Sequence, residues 1–197
     1  MKWYKYNINE LTQAQYDEWY SLMTPKKKLR VDALHFEKDK KCSVVSDMLA
    51  KKAIADFCMV EPCDVVLIQR DSGKPYAENL DVGFNVSHSG DMVVCAVSSK
   101  PIGIDIEKIR PVNLKIARRV CSSDELEFIF GYTPTENDFV RTTDSKILTR
   151  FFELWTAKEA FVKFKGTGIK DIKLSFDKAY IKRFYFDDYV VSVYSEE

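Results

Sequence analysis

Two carboxylates stand two residues apart in PIGIDIEKIR (101–110), where Ile102, Ile104 and Ile106 take one parity and Gly103, Asp105 and Glu107 the other. In a strand, alternate side chains share a face and lie roughly 7 Å apart, so the two acids project together while the isoleucines turn to a core. Acids with no base beside them repel unless a cation sits between them. Hard oxygen donors of this kind suit Mg²⁺, which takes one or two carboxylates and completes its shell with water and phosphate oxygens. Gly103 on the same parity is expected to let a ligand approach the backbone. The plainer reading is a half-exposed strand with a solvated polar face.

A third carboxylate comes from FFELWTAKEAFVKF (151–164), in which Trp155, Glu159 and Lys163 recur every four residues and so line one stripe of a helix. A solvated Glu–Lys pair one turn apart is the ordinary account. The neighbours argue otherwise, because Phe151, Phe152, Leu154, Ala157, Ala160, Phe161 and Phe164 make most of this helix apolar. A Glu and a Lys bordering that much apolar surface fit a cleft, where they would extend a metal site and offset phosphate charge.

Upstream, FNVSHSG (84–90) is expected to place Ser87, His88 and Ser89 in a tight turn, whose hydroxyls, amides and imidazole are good phosphate donors. It reads equally as a plain hairpin. SGKPY (72–76) presents Lys74 beside Pro75, and TPKKKLR (24–30) clusters Lys27 and Arg30 with other bases. Neither G-x-x-x-x-G-K-[ST] nor G-x-G-x-x-G occurs.

The elements that must position these groups follow from periodicity. Strands are expected near Trp3–Ile8, Val65–Gln69, Gly83–Ser87, Met92–Ser98, Gly103–Ile109 and in YVVSVYS (189–195). Helices are expected over Gln13–Ser21, Lys38–Asp56, Leu114–Val120, from the serine cap of SSDE (122–125), and over Leu148–Phe164. The polar stretch 131–146, broken by Gly131 and Pro134, reads as a loop. Two ungapped echoes run through the chain in one order. LAKKAIADF (49–57) matches TAKEAFVKF (156–164), and DMVVCAVS (91–98) matches DYVVSVYS (188–195). A duplicated module puts a ligand cleft between its halves.

With 197 residues, 46% of them hydrophobic, and 30 basic against 30 acidic side chains, the chain has the profile of a soluble globular protein. The neutral balance argues against bulk nucleic-acid binding. No apolar run approaches the ~20 residues of a membrane span, and the N-terminus MKWYKYNINE lacks a signal-peptide core. Five scattered cysteines form no disulfide or zinc pattern. A cytoplasmic location is expected.

GIDIE (103–107) followed by WTAKEAFVK (155–163) resembles the paired signature of the 4′-phosphopantetheinyl transferases, and GKP (73–75) and FNVSHS (84–89) resemble the larger, two-lobed members related to the surfactin-synthetase activator. The resemblance covers nearly the whole chain. It implies an α+β fold of two pseudo-symmetric lobes, 1–100 and 101–197, with the active site at their interface, and a monomer that is internally a pseudo-dimer. It implies transfer of phosphopantetheine from coenzyme A to a serine of an apo acyl or peptidyl carrier protein. Asp105, Glu107 and Glu159 would hold Mg²⁺; Lys163 and His88 would stabilise charge on the phosphates. Lys27, Arg30, Lys74, Pro75, Ser87, His88 and Lys163 would contact coenzyme A. Either Glu159 or Glu125, in CSSDE (121–125), would accept the serine proton. The competing classes are a coenzyme A-binding module without catalysis and a metal-dependent phosphohydrolase, which would want more than the two histidines present.

Overall fold

The computed structural model describes residues 1–69, 75–167 and 176–196. Strand β1 (Lys2–Asn7) leads through helices α1 (Gln13–Ser21) and α2 (Pro25–Asp32) into the long α3 (Glu37–Cys58). Short strands β2 (Leu67–Gln69) and β3 (Pro75–Ala77) precede the hairpin of β4 (Gly83–Ser89) and β5 (Met92–Ser98). The second half runs β6 (Gly103–Lys108), β7 (Val112–Asn113), α4 (Lys115–Val120), α5 (Ser123–Phe130), β8 (Arg141–Thr142), α6 (Ser145–Lys165), β9 (Ile181–Phe186) and β10 (Tyr189–Tyr194). No helix among the described residues is long and apolar enough to cross a membrane.

Two antiparallel three-stranded sheets, β1-β5-β4 and β6-β10-β9, share one plan. Each central strand, MVVCAVS or YVVSVY, is buried along its full length, as near-continuous apolar strands covered on both faces must be. One face of β5 (Val93, Cys95, Val97) packs on α3 through Val45, Leu49 and Ile54. Its other face (Met92, Val94, Ala96) meets Ile104 and Ile106 of β6 with Val191 and Val193 of β10. The two sheets thus stack through the isoleucine parity of PIGIDIEKIR, with α3 outside one and α6 outside the other. The echoed segments occupy corresponding places in two α+β lobes.

The glycine–acid parity of β6 therefore faces α6 rather than open solvent, and this changes the role of Gly103. A Cβ there would collide with the Ala160 carbonyl oxygen and come within 2.6 Å of the Phe164 amide nitrogen. The missing side chain admits the helix backbone, not a ligand. Further differences are local. β4 continues through Ser89, so residues 87–89 lie in a strand and the turn falls at Gly90 (φ +58°) and Asp91. The expected loop 131–146 contains a 3₁₀ turn at Glu136–Asp138 and β8, which pairs with β7. Its last two residues open α6, because the Asp144 side chain accepts from the Lys146 and Ile147 amides and starts the helix ahead of its apolar run.

Candidate active site

Where the edge strands β4 and β6 meet, the lobes are joined by side chains instead of a backbone ladder. Asn85 Oδ1 accepts from the Ile104 amide (2.9 Å), and Ser89 Oγ accepts from the Lys108 amide (3.2 Å), covering edge donors of β6. Between and beside them, Ser87 Oγ donates to Asp105 Oδ1 (2.7 Å) and Ser89 Oγ donates to Glu107 Oε2 (2.7 Å). From the other side α6 lays Glu159 and Lys163 along its stripe, and Lys163 Nζ donates to Asp105 Oδ1 (2.6 Å) and Ser87 Oγ (2.8 Å). The helix is held in place on its sheet by Thr156 Oγ1, which bonds Ser192 Oγ on β10 (2.7 Å). An open cleft of about 320 Å³ results, lined by Ser87, His88, Asp105, Glu107, Glu159 and Lys163, with Val86 and Trp155 completing it.

The electrostatics of this cleft are unbalanced. Burial raises the pKa of Glu107 above the ordinary carboxylate value of 4.5, and the Asp105 charge pushes it further, against the lowering bond from Ser89. Burial likewise raises Glu159, with Asp105 and Glu107 adding repulsion that Lys163 only partly relieves. The surrounding protein, and after it the Lys163 ammonium, hold His88 below 6.5. Asp105 is 5% exposed; its Oδ1 takes two donors while its Oδ2 is buried with no hydrogen-bond partner in the structure.

Among the described residues no three His, Cys, Asp or Glu side chains stand gathered as a ready metal site. The ammonium of Lys163 is the cation seated on Asp105. The donor set nonetheless fits a hard divalent cation: three carboxylates line one small cleft, two of them are pushed toward the neutral form by burial and by the Asp105 charge, and Asp105 Oδ2 is an orphaned buried acceptor.

The structure does not bring every sequence-predicted residue here. Glu125 lies on the far side of α6. Its Oε1 pairs with Lys158 Nζ (2.9 Å) and its Oε2 accepts from the Ser122 amide (2.7 Å) in the capping box of α5, so both oxygens are in use inside the fold. Lys27 pairs with Asp47 (3.5 Å) and, with Lys26, Lys51 and Pro75, lines a separate hollow of about 550 Å³ in the first lobe. Pro75 also borders a hollow at the lobe boundary with Tyr76, Lys100, Phe164 and Lys165. Arg30 is exposed in the last turn of α2. Lys74 lies outside the described residues. Ser87 turns its hydroxyl inward onto Asp105 and Lys163, away from the role of an open phosphate donor. Sequence reading missed Asn85 and Ser89 as lobe-joining groups and the buried Lys158; only the alternate-residue spacing N-x-S-x-S in 85–89 signals the former.

Comparison with known proteins bears on this arrangement. The family model described as 4′-phosphopantetheinyl transferase superfamily matches residues 101–196, and one described as 4′-phosphopantetheinyl transferase, N-terminal, matches 10–100. The 4′-phosphopantetheinyl transferase Sfp of Bacillus subtilis is 32% identical over 165 residues, 83% of this chain and 69% of its own length. The 4′-phosphopantetheinyl transferase gsp of Aneurinibacillus migulanus is 34% identical over 132 residues, 67% of this chain and 51% of its own. The L-aminoadipate-semialdehyde dehydrogenase-phosphopantetheinyl transferase of Schizosaccharomyces pombe is 25% identical over 174 residues, 81% of this chain and 66% of its own.

Proposed function

The chain belongs to the 4′-phosphopantetheinyl transferase superfamily, and from that premise we propose that it transfers phosphopantetheine from coenzyme A to a serine of an apo acyl or peptidyl carrier protein. The observation that carries the reading is the meeting of Asp105 and Glu107 on β6 with Glu159 and Lys163 on α6 in one cleft. The serine oxygen attacks the β-phosphorus, the one bearing pantetheine. A new oxygen–phosphorus bond forms there, the bond from that phosphorus to the bridging oxygen breaks, and adenosine 3′,5′-bisphosphate leaves with the bridging oxygen.

The chain's own groups are suited to each demand. Glu159 accepts the hydroxyl proton, and burial moves its pKa from 4.5 toward working pH, where a general base is most effective. Lys163 is already ordered against Asp105 and is in reach of charge developing on the leaving oxygen. His88 offers a ring N–H to a phosphate oxygen. When bound, Mg²⁺ on Asp105, Glu107 and Glu159 would neutralise diphosphate charge and polarise the phosphorus. Coenzyme A would extend from this cleft over the first lobe, residues 1–100, toward Pro75, Lys27 and Arg30, with Lys74 as a further proposed contact, while residues 101–197 supply the carboxylates. In this reading the enzyme is cytoplasmic and works as a monomer, one lobe completing the other across the apolar layer between the sheets.

The test is intact-mass spectrometry of several apo carrier proteins incubated with the chain, coenzyme A and Mg²⁺. The expected result is a gain of one phosphopantetheinyl group, abolished by EDTA and by Asp105→Asn. Coenzyme A binding with no gain on any carrier would overturn the proposal.

A further inference from the structure

The serine–acid pairs across the lobe boundary raise a question that the transfer reaction does not answer. Ser87 and Ser89 alternate on β4 as Asp105 and Glu107 alternate on β6, and each serine donates to one of the two acids at the same 2.7 Å. A solvated edge strand has no need of such a match. We propose that the two β4 serines are positioning residues that set the cleft's affinity for a divalent cation, so that the first lobe tunes a site whose ligands all come from the second. The inference rests on the metal reading above and deepens it.

A carboxylate free to rotate offers either oxygen to any donor. At Asp105 the Ser87 hydroxyl and the Lys163 ammonium converge on Oδ1, which leaves Oδ2 as the open acceptor, and Oδ2 is the buried atom with no partner. At Glu107 the Ser89 hydroxyl occupies Oε2 and is itself held by the Lys108 amide, so its direction is fixed by the backbone of the strand it grips. Each acid is thereby turned to present one oxygen. Hydrogen bonds to ligating carboxylates act in this way, fixing orientation before the metal arrives, and their loss typically costs 10–100-fold in metal affinity. Asn85 is the internal control. It belongs to the same row and bonds across the same boundary, but to the Ile104 amide instead of a carboxylate.

Titrating the 197-residue chain with Mn²⁺, followed by electron paramagnetic resonance of the free ion, reads the affinity without turnover. Ser87→Ala and Ser89→Ala should each weaken Mn²⁺ binding by about tenfold or more, whereas Asn85→Ala should stay within about twofold of the wild type. Ser89→Thr, which keeps the hydroxyl, should recover most of the loss, and coenzyme A affinity measured in EDTA should be unchanged in the Ser89 and Asn85 variants. Should Ser87→Ala fail to fold, Ser89→Ala and Ser89→Thr decide the matter. Serine variants that bind Mn²⁺ like the wild type, or an Asn85→Ala variant equally weakened, would overturn the proposal. A wild-type chain that binds coenzyme A but no Mn²⁺ would remove the metal reading and this inference together. One that binds both and modifies no carrier would sink the transfer reading alone.

Discussion

Replacing Lys158 by methionine removes a charge from the deepest part of the second lobe while keeping an unbranched side chain. Lys158 is 2% exposed, and its partner Glu125 is 17% exposed in the side chain. Breaking a buried pair from one side costs about 3–5 kcal/mol, because the remaining charge is stranded. The two halves of this pair differ in burial. Without Lys158, Glu125 keeps the Ser122 amide and sits in the first turn of α5, where the helix dipole favours an anion. Lys158→Met therefore belongs near the low end, about 3 kcal/mol, and Glu125→Ala, which takes the carboxylate away from the more deeply buried partner, near the high end, about 5 kcal/mol. At 2–4 °C per kcal/mol for a chain of this size, the melting temperature should fall by about 6–12 °C and about 10–20 °C respectively. The double change Lys158→Met with Glu125→Leu should recover most of the loss, since an apolar pair of similar volume replaces a buried ion pair at little cost. Urea denaturation measures all three, with transfer kinetics taken where each variant is folded. A loss below about 1 kcal/mol for Glu125→Ala would refute the reasoning. So would a Glu125→Gln variant of native stability whose kcat falls more than about 100-fold, which would make Glu125 a chemical group after all.

Gly103→Ala should cost about 2 kcal/mol or more, since its Cβ meets the α6 backbone and no flexible side chain can yield; a native-like melting temperature would contradict the packing described. Lys163→Ala should lower kcat by about 10²–10³-fold and move KM for coenzyme A much less, and a loss carried by KM alone would reassign it to substrate binding. The raised pKa values of Glu107 and Glu159 make the folded chain hold protons that the unfolded chain releases above 4.5. Their contribution to stability is complete below that value and is lost as pH rises through the raised folded values. In EDTA, melting temperature should then fall with rising pH above about pH 5, and Glu159→Gln should flatten the slope; an unchanged slope would refute the assignment.

The parts of the site legible in the sequence are those set by periodicity within one element. Period two along β6 and period four along α6 identify Asp105, Glu107, Glu159 and Lys163, because those spacings hold whatever the rest of the chain does. Destinations that depend on another element are not legible. Glu125 carries the mark of an acid in a first helical turn, but its partner lies 33 positions away as the K of TAKEA, and a lysine beside a cleft glutamate gives no sign that it turns inward. Ser87 and Ser89 next to Gly90 look like a phosphate-binding turn until β4 is seen to lie against β6. Gly103 signals a close approach without saying to what.

The duplicated plan also accounts for the carboxylate cleft standing where β4 meets β6. Aligning 91–98 with 188–195 and 49–57 with 156–164 carries β1 onto β6, α3 onto α6 and β4 onto β9. Under that correspondence Tyr4 takes the place of Asp105, since each lies opposite matching residues, Cys95 and Ser192, of the central strands. Asp56 takes the place of Lys163. The contact survives the exchange with its polarity inverted: the Tyr4 hydroxyl bonds Asp56 where the Asp105 carboxylate bonds Lys163. What differs is the strand from the other lobe. Ser87 and Ser89 correspond to Phe184 and Phe186, which pack on Trp3 at 5.0 and 6.4 Å between ring centroids, while Lys5 caps Phe186. One lobe boundary is therefore closed by aromatic packing and the other is kept polar by two hydroxyls. Aromatic rings across β6 would offer Asp105 and Glu107 no hydrogen bond, and two buried carboxylates without partners are costly to hold ionised. The serines of β4 are what permit the acids of β6 to remain at that boundary, and the carboxylate cleft stands where the other lobe boundary carries two aromatic rings.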